Sequence, residues 1–408
     1  MITVKSLFKN LEDPLFKNSF FLTLARFINV AMGFVFWIIA AKFYSVEDVG
    51  VATALLSSLG ILILFSRLGF DSSLIRFVHI NDKNKVFNTS IIITTIFSLI
   101  AGIIYILGID FISPGLSFLK NPGYAIIFLF FVIMNSIISI TGIAFIAIRK
   151  ADYYFVQNTI LGSRILLLIP LIFLGSLGIF GSVGLAYFFS ALFSFYYLKK
   201  FIKFEFAIDN QFINESFRFS SGNYISNIMQ TSNLFLPILV FNLLGGAETA
   251  KYYIAFAIGN LVLIIPDALS TSLFVEGSHG ESLRKNVIKA GLVMSFLLIP
   301  AVIFIYFFGD ILLGLIGKNY VDSFELLKLL VLSSFFFAAY SLFISIQNVR
   351  MNVGLIVKLN LLMFVLLMGL SYVLILKFGI VGVGYAWMIT YGILALVVGV
   401  LIKRAEWI

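Results

Sequence analysis

The sequence has no cysteine and only two histidines among its 408 residues. Disulfides and thiolate metal sites are therefore excluded, and His79 and His279 stand in separate polar loops without neighbouring metal ligands. Charge is also scarce, because Asp, Glu, Lys and Arg make up 12% of the chain. Glycine-rich nucleotide loops and catalytic triads are absent from the sequence. We therefore expect no cofactor, no bound metal and no enzymatic activity.

Hydrophobic residues, by contrast, make up 61% of the chain and fall into long runs. Each run is long enough to cross a bilayer as a helix, and polar breaks separate one run from the next. The predicted fold class is an all-α polytopic membrane protein in which the first span directs insertion. The twelve expected spans lie near residues 16–41, 49–70, 88–108, 122–147, 154–175, 180–198, 217–241, 250–272, 287–308, 325–347, 355–376 and 381–402.

Lys and Arg residues are distributed unequally between the loops on the two sides of the membrane. Of the 28 Lys and Arg residues, Arg26 and Arg164 lie within spans, and 20 lie in segments on the side of the N-terminus. The other side has only six, namely Lys42, Lys120, Lys251, Lys318, Lys328 and Lys377. Cytoplasmic loops carry the excess of Lys and Arg, so both termini are predicted to be cytoplasmic in a cell membrane. A nucleic-acid-binding protein would cluster these charges, and no nucleic-acid partner is expected.

The chain also repeats itself at an offset of 201 residues, which aligns Ser19 with Ser220 and Arg149 with Arg350. Each half holds six spans, so both halves enter the membrane from the same side. We therefore expect two like-oriented lobes around a central cavity, related by an axis along the membrane normal. The predicted division is an N-terminal lobe at 1–200, a cytoplasmic linker at 201–216 and a C-terminal lobe at 217–408.

The first span carries one full charge, Arg26, about a third of the way in, with Asn29 one turn later. Polar and small residues follow a helical spacing along one face, while the opposite face is Phe, Leu and Ile. A cation at this depth costs several kcal/mol unless it meets water, protein or an anion. This span is therefore predicted to form one wall of a polar cavity.

Further polar residues lie in the fifth and seventh spans. Arg164 is predicted at a depth similar to that of Arg26, and its guanidinium has the fork geometry that suits phosphate. The seventh span carries Asn223, Asn227 and Gln230 on one broad face, with Asn227 at the repeat position of Arg26. Two interpretations are open: a water-filled, anion-binding lumen, or hydrogen bonds that hold the helices together, with each arginine paired to carbonyls or an acid.

Two acids lie near span interiors, Asp71 and Asp267, both towards cytoplasmic ends. Arg67 and Arg76 flank Asp71, where the second span meets the cytoplasm. This group is interpreted either as a headgroup site or as the ordinary anchor of basic residues at a cytoplasmic membrane boundary. We include Arg67, Asp71 and Asp267 among the candidate substrate-binding residues.

Two motifs resemble those of polysaccharide and lipid-linked oligosaccharide flippases. The first is Ala-Ala-Lys-Phe-Tyr-Ser-Val-Glu-Asp-Val-Gly-Val-Ala-Thr-Ala at 40–54, and the second is Leu-Gly-Phe-Asp-Ser-Ser-Leu-Ile-Arg-Phe at 68–77. A Gly-Ile-x-Gly motif before the sixth and twelfth spans is also similar. That family belongs to the multidrug/oligosaccharidyl-lipid/polysaccharide exporter superfamily, whose two six-helix lobes form a V. The resemblance implies a cationic cavity that Arg26 and Arg164 fit, with Asn227 leaving the second lobe polar but uncharged.

The resemblance implies a flippase that moves a polyprenyl-(pyro)phosphate-linked glycan to the outer leaflet by alternating access. Its implied partners are the lipid bilayer, the polyprenyl-linked glycan and polysaccharide assembly enzymes. A cation-coupled multidrug antiporter of the same fold is an alternative, but no acid lies between Pro14 and Val46. A membrane glycosyltransferase or glycan ligase would need reactive groups on a sizeable outer loop, whereas Asp110–Gly123 has only Asp110 and Lys120 as charges. A scaffold protein of the same fold is the remaining alternative.

Overall fold

The structure is a computed structural model that describes residues 14–278 and 283–404. Within these ranges, the side chains of residues 14–16, 19, 221–223, 225–227, 275–278, 283, 284 and 404 lie outside the described set. Every regular element in the described ranges is helical, which confirms the predicted class. Among the described residues, ten helical segments are long and apolar enough to cross a membrane. The chain is thus a multi-pass membrane protein.

The described residues form two compact units, of which the first holds 14–48 and 55–224. Its 3₁₀ turns are Pro114–Lys120 and Ile172–Leu174. Its α-helices, some of which run on into the second unit, are α1 (Pro14–Phe43), α2 (Val46–Ser66), α3 (Phe70–Phe77), α4 (Lys83–Leu107), α5 (Ile109–Ile112), α6 (Pro122–Ala147), α7 (Ala151–Leu161), α8 (Arg164–Leu168), α9 (Ser176–Leu198) and the first part of α10 (Asn210–Gln230).

The second unit holds residues 49–54 of α2 and 225–404. In this unit Gly50 and Gly246 touch so closely that a Cβ on Gly50 would overlap the Gly246 carbonyl oxygen. Its 3₁₀ turns are Ser232–Leu234 and Lys318–Ser323. Its further α-helices are α11 (Leu236–Leu244), α12 (Gly246–Ser278), α13 (Leu283–Ile316), α14 (Phe324–Val349), α15 (Val353–Phe378) and α16 (Val381–Arg404).

Two of the expected spans are divided. The fifth, expected as one run near 154–175, consists of α7, α8 and a 3₁₀ turn, after which Gly175 adopts a φ of 55°. The seventh, expected near 217–241, consists of α10, a 3₁₀ turn and α11. Pro237 stands in the first turn of α11 and lacks the N–H that would continue a helix from the preceding turn. The sequence therefore gives the positions of these spans but not their interruptions.

The helix ends that carry Lys17, Arg76, Lys83, Lys150 and Lys199 define what we call the basic end of the first unit. Buried apolar side chains pack beneath it from α3, α4, α6, α9 and α10. They are Phe70, Leu74, Val78, Val86, Phe87, Ile140, Ala144, Phe145, Ala147, Leu198, Ile202 and Phe212. This cluster fixes where α9 ends and α10 begins.

The segment 201–209 joins α9 to α10, and polar side chains of the first turns of α4 hold it in place. The Asn84 Oδ1 accepts a hydrogen bond from the backbone N–H of Lys203 at 2.9 Å, and the Asn88 Nδ2 donates to the Lys203 carbonyl at 2.9 Å. The Thr89 Oγ1 accepts from the N–H of Asp209 at 2.9 Å. The connection is therefore bound along α4 at both of its ends.

Candidate functional site

The polar face predicted for the first span lies on α1. The side chains of Arg26 and Asn29 are exposed there, as is that of Thr23, whereas Ala25 beside them is buried. The helix runs unbroken through this region. Arg26 and Asn29 therefore share one accessible stretch of α1.

Helix α1 packs along α7 and α8 in a defined register. At the basic end, the Lys17 ammonium lies 3.2 Å from the Asp152 carboxylate, and the Asn18 side chain caps α7 by accepting from the Ala151 N–H at 3.1 Å. Further along, Gly162 leaves room for Met32, because a Cβ at Gly162 would overlap the methionine's terminal methyl group. The two elements therefore run side by side in the same direction.

Arg164 begins α8, immediately after the chain turns at Gly162 and Ser163. Its guanidinium carbon lies 5.2 Å from the centre of the Phe36 ring, a cation–π arrangement with α1. A Cβ on Gly33 would lie only 3.4 Å from one of its terminal nitrogens. The first helix therefore forms the surface against which the Arg164 guanidinium rests.

The two arginines do not lie at similar depth, so that prediction is wrong. Asn18 and Ala151 are level with each other. From that level, the Arg26 backbone lies eight residues along α1, whereas the Arg164 backbone lies thirteen residues along α7 and α8, with its guanidinium beside Gly33. At 1.5 Å per residue, the five-residue difference between the two backbones is about 8 Å along the helix axis. The sequence estimate started α7 too late and ignored the reach of the side chain.

Arg67 and Asp71 lie together at the turn between α2 and α3. Their charged groups are 3.9 Å apart, and Asp71 also accepts the Ser72 N–H at 2.9 Å. The backbone here is left-handed at Leu68 and Gly69, with φ values of 50° and 81°. The Arg67 guanidinium thus has an acidic neighbour one helical turn away in the chain.

Ser220 of α10 packs directly on this same turn. It donates to the Gly69 carbonyl at 2.9 Å and shares a 2.8 Å hydrogen bond with the Ser73 hydroxyl. A Cβ at Gly69 would overlap the Ser220 side chain, so glycine is required here for space as well as for its positive φ. One turn further along α10, the Tyr224 hydroxyl donates to the Phe65 carbonyl at 2.7 Å.

The second unit contains a polar cavity of about 310 Å³. Two candidate residues line it, Gln230 at the end of α10 and Asp267 on α12. Asn223 and Asn227 are the other two candidates on α10, and their side chains lie outside the described residues. The structure thus brings Gln230 and Asp267 to one cavity.

Most of the residues that line this cavity were not singled out from the sequence. The Tyr340 hydroxyl donates to the Asn360 Oδ1 at 2.6 Å, and the Ser270 and Ser341 hydroxyls are 3.0 Å apart. Asn360 is the one side-chain amide in the mainly apolar α15, and an amide inside a span was the signal that could have identified it. The other lining residues are Thr271, Phe274, Phe337, Ile344, Ser345, Asn348, Met363 and Tyr391.

The motif at 40–54 acquires a structural role. The Tyr44 hydroxyl donates to the Leu168 carbonyl at 2.6 Å, and the Asp48 carboxylate accepts from the Ser176 N–H at 2.8 Å. Gly175 lies so close that a Cβ there would be 2.6 Å from the Asp48 Oδ1. These contacts hold both ends of the segment between α8 and α9, and therefore fix α8, which begins with Arg164.

A family model described as "Polysaccharide biosynthesis protein" matches residues 15–274. The chain belongs to this polysaccharide biosynthesis family. No curated protein matches the sequence. The solved structures that resemble the fold include the lipid II flippase MurJ, with a TM-score of 0.78 and 16% identity over 93% of this chain and 87% of MurJ.

A multidrug resistance MATE family transporter of the MOP superfamily is also similar, with a TM-score of 0.70 and 16% identity over 95% of this chain and 98% of that transporter. At such identity these likenesses establish the fold alone.

Proposed function

We propose that this protein is a flippase for a polyprenyl-(pyro)phosphate-linked glycan, which it moves from the cytoplasmic to the outer leaflet. The observation that carries the proposal is the pair of arginines on the packed α1–α8 surface of a polysaccharide biosynthesis family member. A pyrophosphate cannot cross roughly 30 Å of hydrocarbon unshielded. Cationic side chains inside the membrane provide the charge that such a group requires.

The two arginines lie at different levels along α1, an arrangement that suits an anion moving past them better than an anion held at one fixed site. Arg26 is exposed near the basic end, and the Arg164 backbone lies about 8 Å further along the helix axis, with its guanidinium against α1. We infer that the phosphate groups meet Arg26 first and Arg164 second as the headgroup enters. In this proposal both termini are cytoplasmic in the cell membrane, and the lobes alternate around the headgroup.

The test uses purified protein in liposomes with a fluorescent undecaprenyl-pyrophosphate-linked sugar in one leaflet. Arg26→Ala and Arg164→Ala are each expected to reduce transport about 10- to 100-fold, because each removes hydrogen bonds from a charged donor worth about 1.5–3 kcal/mol. The Arg→Lys variants should retain part of the activity, since they keep the charge but lose the fork. Arg149→Ala, which removes a charge at the basic end, serves as the matched control.

Wild-type transport by either alanine variant would assign that arginine a purely structural role. Transport by neither wild type nor variants, together with intact folding, would reject this class of substrate.

A second candidate function, cation-coupled antiport, is favoured by one observation: Asp267 lines a membrane cavity with hydroxyl and amide groups. Oxygen-rich surroundings of this kind suit hard cations. Asp267→Asn distinguishes the two functions. It should abolish sodium- or proton-driven drug uptake if the protein is an antiporter, and it should leave undriven lipid scrambling unchanged if the protein is a flippase without coupling at this acid.

A further inference from the structure

Four aromatic rings form a continuous surface at the basic end of the first unit, contributed by α7, α9 and the residues that follow α9. Tyr153 lies 5.0 Å from Tyr197 and 5.9 Å from Phe201 between ring centres, and Tyr196 lies 5.1 Å from Tyr197. We call Tyr153, Tyr196, Tyr197 and Phe201 the aromatic platform. Phe145 and Phe193 stack behind it and fix the rings in place.

Three lysines converge on this platform from two helix ends. The Lys150 ammonium lies 5.3 Å from the centre of Phe201, Lys199 lies 4.5 Å from Tyr196, and Lys200 lies 4.6 Å from Tyr197. Each distance is within the range of a cation–π interaction. The rings therefore hold three positive charges over one small surface.

Among the described residues, no acid neutralises these charges. None of the three ammonium groups forms an ion pair with a carboxylate in the part of the chain that the structure describes. Asp152, the acid nearest to Lys150 in sequence, is turned towards Lys17 at 3.2 Å. Holding like charges together without an acid is unfavourable unless an anion joins them.

An apolar stripe leads away from the platform along α9. Phe189, Leu192 and Tyr196 follow one another at helical spacing and are 46%, 52% and 55% exposed. The stripe belongs to a helix with the length and hydropathy of a membrane span, and the lysines stand at its polar end. Positive charge at the end of an exposed apolar stripe matches a lipid, whose anionic headgroup would meet the lysines and whose acyl chain would lie along the stripe.

We propose that the aromatic platform and its three lysines form a binding site for one anionic phospholipid. Its phosphate is held by the ammonium groups of Lys150, Lys199 and Lys200, and an acyl chain lies along Phe189 and Leu192. The site is separate from the α1–α8 surface, and the proposal does not depend on what the protein transports.

The experiment measures binding of fluorescent short-chain phosphatidylglycerol to the full chain in detergent, with phosphatidylcholine of the same chain length for comparison. The wild type should prefer phosphatidylglycerol. The triple variant K150Q/K199Q/K200Q should bind it at least about 10-fold more weakly, because each lysine near a membrane surface adds roughly fivefold in affinity. Phe201→Leu should show a smaller loss, since it keeps the charges but removes the ring beneath Lys150.

The matched control is K83Q/K85Q/K203Q, which removes three exposed lysines from the same end of the unit. It should bind phosphatidylglycerol like the wild type, and inorganic phosphate at equal concentration should not displace the lipid. Equal losses of phosphatidylglycerol affinity in the two triple variants would show that any positive charge at this end attracts the lipid and that no specific site exists. Equal binding of the two lipids by the wild type, or full displacement by phosphate, would also overturn the proposal.

Discussion

The two units are built from repeated spans, yet each interrupts a different one. In the first unit the first span is the unbroken α1, and the fifth is divided into α7, α8 and a 3₁₀ turn. In the second unit the fifth span is the unbroken α15. The first span, which begins in the first unit, is divided into α10, a 3₁₀ turn and α11. Irregular backbone at membrane depth is tolerated only where protein buries it or it lines a wet cavity. The two parts of the chain therefore place their irregular backbone in different spans.

A candidate site residue stands at each interruption. Arg164 begins the helix after the first break, and Gln230 ends the helix before the second. Broken membrane helices commonly bind substrate or ions through the freed ends. The first unit thus has a cation next to its interruption, and the second unit has a side-chain amide next to its own.

The largest expected effect comes from breaking the helix that the second unit keeps intact. A Cβ on Gly178 would overlap the Leu171 carbonyl, and a Cβ on Gly382 would overlap the Leu374 carbonyl. Leu171 and Leu374 therefore hold equivalent positions. The residue before each of them, Pro170 in the first unit and Val373 in the second, is equivalent too. Val373→Pro removes a hydrogen bond inside α15 and places its ring against the preceding turn, which costs about 3 kcal/mol or more. Thermal unfolding in detergent should show a large fall in Tm, whereas Val373→Ala should show little. A stable proline variant would mean that this span is as adaptable as its counterpart.

A smaller loss of stability is expected from filling a close glycine contact that both units contain. Gly178 and Gly382 each lie where a Cβ would overlap a backbone carbonyl of the preceding span. Gly178→Ala and Gly382→Ala should each cost about 1–3 kcal/mol, since backbone rather than a flexible side chain must move. Gly392→Ala, on the same helix as Gly382 but with nothing within 4 Å, should be neutral or stabilising. Strongly unequal losses in Tm for Gly178→Ala and Gly382→Ala would show that the two close contacts are not equivalent.

The smallest effect concerns the connections on the side opposite the basic end. In the first unit Asp110 pairs with Lys120 and accepts from Ser117, and these contacts lower the pKa of its carboxyl. A lowered pKa gives stability that is present above the usual carboxyl range and is lost as pH falls through the folded value. Tm should therefore fall slightly more for the wild type than for Asp110→Asn between pH 7 and pH 3. Identical pH profiles would show that the pair contributes nothing.

Much of the fold follows from hydropathy, because each span must be apolar and each break polar. The breaks within spans were not predictable in the same way, since Pro170 and Pro237 are surrounded by apolar residues and membrane helices often contain proline without dividing. The repeat in sequence also misplaced one alignment. The offset of 201 residues would align Gly178 with Gly379, whereas the positive φ angles shared by the two backbones align Gly175 with Gly379.

The candidate site was predicted in part. Arg26 and Arg164 stood out as charges in apolar surroundings, which is why sequence alone identified them. Their stagger depends on the register between α1 and α7, and no pattern within either helix encodes it. The cavity of the second unit draws single residues such as Asn360 and Tyr391 from helices far apart in the chain. Such convergence appears only when the helices are packed.

The binding of segment 201–209 to α4 has a consequence for the order of biosynthesis. The side chains that receive it, Asn84, Asn88 and Thr89, belong to a helix made long before the segment leaves the ribosome. The segment can dock as soon as it emerges, and α10 then starts from a fixed point while the rest of the second unit is still untranslated. Residues 84–89 thus set the starting point of α10 before the helices that follow it are complete.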